Sequence, residues 1–166
     1  YRQRMLRFTT VPYKDTFEEK VLFVESSTER TEEGSLITVF DVVLDENGCL
    51  KKYSIVSPDS TPEGTMWYAY LETPACSSRY NGYTYVDTMN KAAIDKFIEI
   101  THERYKEVVG NDFGKSIPAI FTDEPQFIRK QVLENSFDEM DVAMPWTDSL
   151  HESYKERFGE DIFATL

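Results

Sequence analysis

With 166 residues the chain is long enough for one domain with a real hydrophobic core, yet short of the roughly 250 that a complete eight-fold (β/α) barrel uses. Its 40% hydrophobic and 14% aromatic content excludes the polar make-up of a disordered chain and leaves a folded α/β or α+β unit as the default. A net charge of −12 repels phosphate backbones and anionic lipid head groups, which argues against nucleic acid and membrane as partners, and no apolar run approaches the roughly 20 residues needed to cross a bilayer.

From Tyr1 to about Glu19, Met5, Leu6 and Phe8 stand among basic residues and read as the end of a helix that begins upstream. Lys20 to Glu25 is β-rich and is followed by the polar stretch Ser26 to Ser35. The runs Leu36 to Leu44 and Leu50 to Val56 flank Asp45-Glu46-Asn47-Gly48, and Asn-Gly between two such runs is a strong hairpin signal. A β-rich insertion is therefore expected over about residues 20–64. It ends in the loop Ser57 to Gly64, after which Thr65 to Glu72 reads as a strand dense in aromatic residues.

The clearest helix runs from about Asn90 to Val109, where Ala93, Phe97, Ile100, Tyr105 and Val108 recur near the 3.6-residue period. Gly110 is its expected stop. The apolar run Ile117 to Phe121 reads as a buried strand that ends at Pro125. Beyond a polar loop, Thr147 or Asp148 is placed to cap a helix through Tyr154 and Phe158 that stops before Gly159. Strand, helix and strand in that order predict a right-handed parallel crossover, with the Asn90 to Val109 helix between the Trp67 strand and Ile117 to Phe121. Cys49 and Cys76 offer neither a disulfide framework nor zinc spacing, and read as ordinary small residues.

In parallel α/β folds the strand C-termini form the functional face, so Asp123 and Glu124, just beyond Phe121, hold the position where catalytic carboxylates are kept. Cleavage of a glycosidic bond needs a carboxylic acid to protonate the leaving oxygen and a second carboxylate about 5 to 10 Å away. Glu124 is the candidate acid. Asp123 faces the other side of an extended segment and suits orientation of a neighbour or a sugar hydroxyl. An Asp-Glu-Pro of this kind is also at home in a solvated turn.

Aromatic rings stack on the apolar faces of sugars, which makes Trp146 and Tyr80 candidate platforms, with Arg79, Asn81, Asp87 and Gln126 as candidate hydroxyl ligands. Asp87 serves equally as a cap for the helix that follows it. His102 and His151 read as packed helix residues. The acidic run Asp138-Glu139-Asp141 lacks the ordered spacing of a calcium loop and reads as a solvated loop, so no metal ligands and no cofactor are assigned.

Four stretches occur in an order that resembles bacterial glycoside hydrolases related to the α-L-rhamnosidase family 106: Tyr85 to Asn90, Phe97 to Tyr105, Phe113 to Pro125, and Pro145 to Asp148. The resemblance implies a fragment of a (β/α)8 catalytic barrel, hence a partial TIM-type α/β fold with an inserted β-hairpin, inside a longer multidomain enzyme. It implies that Glu124 is an active-site carboxylate acting on a plant or microbial glycan, that calcium is conceivable in the full-length parent, and that the other catalytic carboxylate lies outside these residues. The isolated chain is then expected to be folded and inactive, with the remainder of the enzyme as its partner. The alternative is a non-catalytic carbohydrate-binding or structural fragment.

Overall fold

The computed structural model describes residues 2–13 and 34–165. The expected strand from Lys20 to Glu25 lies outside them. Five strands, β1 (Arg4–Thr9), β2 (Ser35–Leu44), β3 (Leu50–Ile55), β4 (Thr65–Glu72) and β5 (Val142–Trp146), form one sheet in the order β3-β2-β4-β1-β5. Every neighbouring pair is antiparallel.

The β2–β3 hairpin forms as the Asn-Gly signal requires. The Asp45 carboxylate accepts the backbone N–H groups of Asn47 and Cys49, each at 2.9 Å, and Gly48 takes a φ of 77°, a left-handed conformation that glycine adopts without a Cβ clash. Alternation along the strands then sorts side chains to two faces. One face gathers Leu6, Phe40, Ala69 and Trp146 under Ile162 and Phe163, with helix α3 (Leu150–Phe158) contributing Leu150 and Tyr154. The other gathers Val39, Tyr68 and Tyr70 with Tyr13. Each fully buried apolar side chain of this kind contributes roughly 1.5–3 kcal/mol.

This architecture overturns the expected TIM-type (β/α) barrel. The predicted crossover fails at both of its strands. β4 hydrogen-bonds to β2 on one edge and β1 on the other, so it has no edge left for a parallel partner. The run Ile117 to Phe121 forms no strand: Ile120 is 51% and Phe121 88% exposed, and its ladder contact among the described residues is an isolated bridge from Ile117 to Phe113. At the start of the run Ile117 is committed instead to a tight turn, in which its N–H donates to the Asp112 carbonyl and its carbonyl accepts the Gly114 N–H. Pro118 has no N–H to offer a ladder.

The first segment is corrected as well, from a helix end to the strand β1. It lies between β4 and β5 and is covered on both faces, so Met5 and Leu6 are both buried and the period-two signal of a half-exposed strand is lost.

The long helix is present as α1 (Lys91–Ile98), a π-helical turn (Glu99–Glu103) and α2 (Arg104–Val109). The Asn90 side chain caps it by accepting Ala93 N–H at 3.2 Å. The Thr101 hydroxyl donates to the Phe97 carbonyl at the π turn, the kind of back-bonding that opens a helix ladder. Gly110 does not stop it in the left-handed region; with φ of −57° it leads on into a short 3-10 turn. Only Ala93 of its apolar stripe is buried among the described residues, and Ile100, Tyr105 and Val108 are all more than half exposed. Gly159 does end α3 as expected, with φ of 74°.

Candidate functional site

The antiparallel sheet brings the N-terminal end of β1 beside the C-terminal ends of β4 and β5, and the candidate residues gather at this end. Arg4 ties the two exits together: its guanidinium donates to the Thr73 hydroxyl at 2.8 Å and pairs with Asp148 at 3.1 Å. Gln3, one residue earlier and 8% exposed, binds both flanking loops. Its backbone N–H donates to the Tyr85 carbonyl at 2.8 Å, and its side-chain amide donates to the Gln126 carbonyl at 3.1 Å. The Thr88 hydroxyl donates to the same Gln126 carbonyl at 3.2 Å.

That doubly held carbonyl fixes the backbone two residues beyond Glu124. Asp123 accepts the Glu124 backbone N–H at 2.9 Å, and the Gln126 side chain returns to the Glu124 carbonyl at 3.2 Å. The Asp123, Glu124 and Gln126 side chains are exposed, and the Glu124 carboxylate has neither an ion pair nor a hydrogen bond among the described residues.

Asp87 is buried below this segment. One of its oxygens accepts the Met89 backbone N–H at 3.1 Å and the other the Thr147 hydroxyl at 2.7 Å. It therefore shapes the approach to the helix, while Asn90 makes the cap itself. Trp146, next to Thr147, is 4% exposed and stacks on Phe163 at 5.5 Å inside the core. Tyr80 is half-buried, 5.1 Å from the Tyr85 ring, with the Arg79 guanidinium 6.0 Å from its centroid; Arg79 and Asn81 are exposed. Asp87, Gln126, Tyr80 and Arg79 thus share one end of the sheet through Gln3, Tyr85 and Thr88. Trp146 shares it by position but directs its ring to the core.

Two charged clusters were not visible in the sequence. On the second face of the sheet Glu72 is fully buried, pairs with Arg7 at 2.9 Å and accepts the Tyr13 hydroxyl, while Asp141 reaches the other side of Arg7 at 3.5 Å. Burial by itself would lower the Arg7 pKa, but the hydrogen bond and attraction of Glu72, helped by Tyr13 and Asp141, hold it above its ordinary value. Near the hairpin, the Asp41 carboxylate accepts the backbone N–H groups of Glu63 and Gly64, at 2.8 and 2.9 Å. Those two bonds hold its pKa below the ordinary value, with a smaller contribution from Lys52. Gly64 is required there, because a Cβ would meet the Val42 carbonyl oxygen at 2.1 Å.

Among the described residues no group of three or more His, Cys, Asp or Glu side chains is arranged to hold a metal ion. Asp138 caps the Asn135 backbone at 3.0 Å, whereas Asp141 turns to Arg7. Cys49 and Cys76 are free and exposed. No family model, curated protein or solved structure matches this chain.

Proposed function

We propose that this chain contributes Glu124 as a catalytic carboxylic acid to a glycoside hydrolase that cleaves glycosidic bonds in plant or microbial glycans. One observation carries the reading. Among the described residues the Glu124 carboxylate has no ion pair or hydrogen bond, and the backbone two residues on is pinned by two hydrogen bonds to the Gln126 carbonyl, whereas Glu72 is spent on an ion pair and Asp41 on backbone N–H groups. A carboxyl group with no other partner is open to a glycosidic oxygen, which leaving-group protonation requires. The resemblance of the Phe113 to Pro125 stretch to family 106 enzymes supports the same residue. Walls that exclude water around Glu124, and the second carboxylate, come in this reading from other parts of a longer enzyme.

The test is a panel of aryl glycosides presented to the full natural protein, alongside its Glu124→Gln variant. Turnover of one sugar that is lost in the variant supports the proposal; turnover of none, or turnover that ignores the substitution, removes it. A second reading, binding of carbohydrate without cleavage, is favoured by the tyrosine-lined depression beside Arg2. Saturable glycan binding with no turnover would select it.

A further inference from the structure

Tyr83 is 72% exposed, which is unusual for a ring this large, and it lines a depression of about 200 Å3 together with Arg2, Cys76 and Tyr85. The loop that carries it is built tightly. Ser77 and Tyr83 form an antiparallel bridge, the Ser77 carbonyl accepts both Tyr80 and Gly82 N–H groups, and the Ser77 hydroxyl caps Arg79 N–H at 3.2 Å. Asn81 and Gly82 take the left-handed φ values of 54° and 78° that turn the chain back. The floor is equally fixed, since Val86 bridges Arg2 and Tyr85 is held by Gln3. An exposed ring on a pre-formed loop loses little conformational entropy on meeting a ligand.

The charge of the depression runs against that of the chain. Arg2 is the charged residue of its lining and has no carboxylate in ion-pair range among the described residues, in a protein of net charge −12. A phenol ring offers a flat apolar face and a guanidinium offers paired donors to a carboxylate. A pyranose bearing a carboxylate satisfies both, presenting its C–H face to the ring and its acid group to the cation. A neutral sugar would use only the ring, and a free phosphate only the cation.

We propose that this depression is a saccharide subsite selective for a carboxylated sugar, in which Tyr83 stacks on a uronic acid ring and Arg2 pairs with its carboxylate. The proposal rests on the carbohydrate reading above and names the class of glycan. Its test uses the two free thiols: Cys76 lines the depression, while Cys49 lies exposed at the β2–β3 turn and serves as an internal reference.

The full protein is alkylated with iodoacetamide alone, with trigalacturonate, or with neutral galactotriose, and the two cysteines are followed by peptide mapping. Trigalacturonate should slow modification of Cys76 relative to Cys49, and galactotriose should need about tenfold higher concentration for equal protection. Arg2→Gln should erase that difference, and Tyr83→Ala should abolish protection by both; each residue is exposed, so neither variant threatens the fold. Equal effects on the two cysteines, or an unchanged preference in Arg2→Gln, would overturn the subsite. Cys76 protection is independent of turnover. Intact protection with no hydrolysis keeps the subsite and rejects the acid role of Glu124; hydrolysis without protection does the reverse.

Discussion

Thr147 donates its hydroxyl to the Asp87 carboxylate at 2.7 Å, with both residues less than 5% exposed, and so joins the exit of β5 to the turn that starts the long helix. The same turn carries Thr88, which holds the Gln126 carbonyl, so this buried bond supports the backbone around Glu124 from beneath. Thr147→Val keeps the shape but leaves one carboxylate oxygen without its donor. The expected loss is about 1–3 kcal/mol in urea unfolding. Asp87→Ala frees the Met89 N–H as well and should cost at least as much. A change below the error of the unfolding measurement in both variants would show that the bond is not formed in solution.

What the sequence disclosed follows from where the information lies. The β2–β3 hairpin, β4 and the helix end at Gly159 each rest on local chemistry: a turn pair, a run dense in aromatic residues, a glycine with left-handed φ. β1 was hidden because burial on both faces removes the alternation that marks a strand. Ile117 to Phe121 has the composition of a buried strand, but β4 offers it no edge, and composition carries no record of which edges are occupied. The gathering at the sheet end was hidden for a similar reason. Gln3 meets Gln126 across 123 positions, and neither residue belongs to any periodic pattern that would reveal the pairing.

The Arg7–Glu72 pair sets a double-mutant cycle. Removing one partner strands a buried charge, so Arg7→Met should destabilise by about 3–5 kcal/mol. Glu72→Leu alone should also destabilise, because it removes the nearer carboxylate partner of the Arg7 guanidinium and the carboxylate that accepts the Tyr13 hydroxyl. The double variant Arg7→Met, Glu72→Leu should recover most of the loss, because an apolar pair of similar volume needs no desolvation of charge. Additive losses would mean that the two side chains do not interact.

Acid stability should carry a mark of Asp41. Its folded pKa lies below the ordinary aspartate value because the Glu63 and Gly64 N–H groups bind the carboxylate. The sign follows from linkage: the unfolded chain takes up the proton first, so this stabilisation is fully present above the unfolded pKa and disappears as pH falls through the folded one. Asp41→Asn should therefore be less stable than the wild type near neutrality, and the gap should narrow as pH drops below about 4. Urea midpoints measured from pH 6 to pH 2.5 check this. A gap that stays constant with pH would remove Asp41 from the acid transition.

The sharpest prediction concerns Glu124. In the full natural protein Glu124→Gln should lower turnover of the natural glycan by at least about 100-fold, since the amide preserves shape but cannot donate a proton. The fold should not notice, because the Glu124 side chain makes no bond among the described residues that stability depends on. An unchanged urea midpoint therefore separates a catalytic loss from a structural one. Asp123→Asn should be milder, since its amide oxygen still accepts the Glu124 N–H. The nature of the substrate then identifies the role. An aryl glycoside with a good leaving group needs little protonation, so it should lose less rate than the natural glycan if Glu124 is the acid. Equal losses on both would assign Glu124 to nucleophilic attack or binding, and near-normal turnover on both would exclude it from the chemistry.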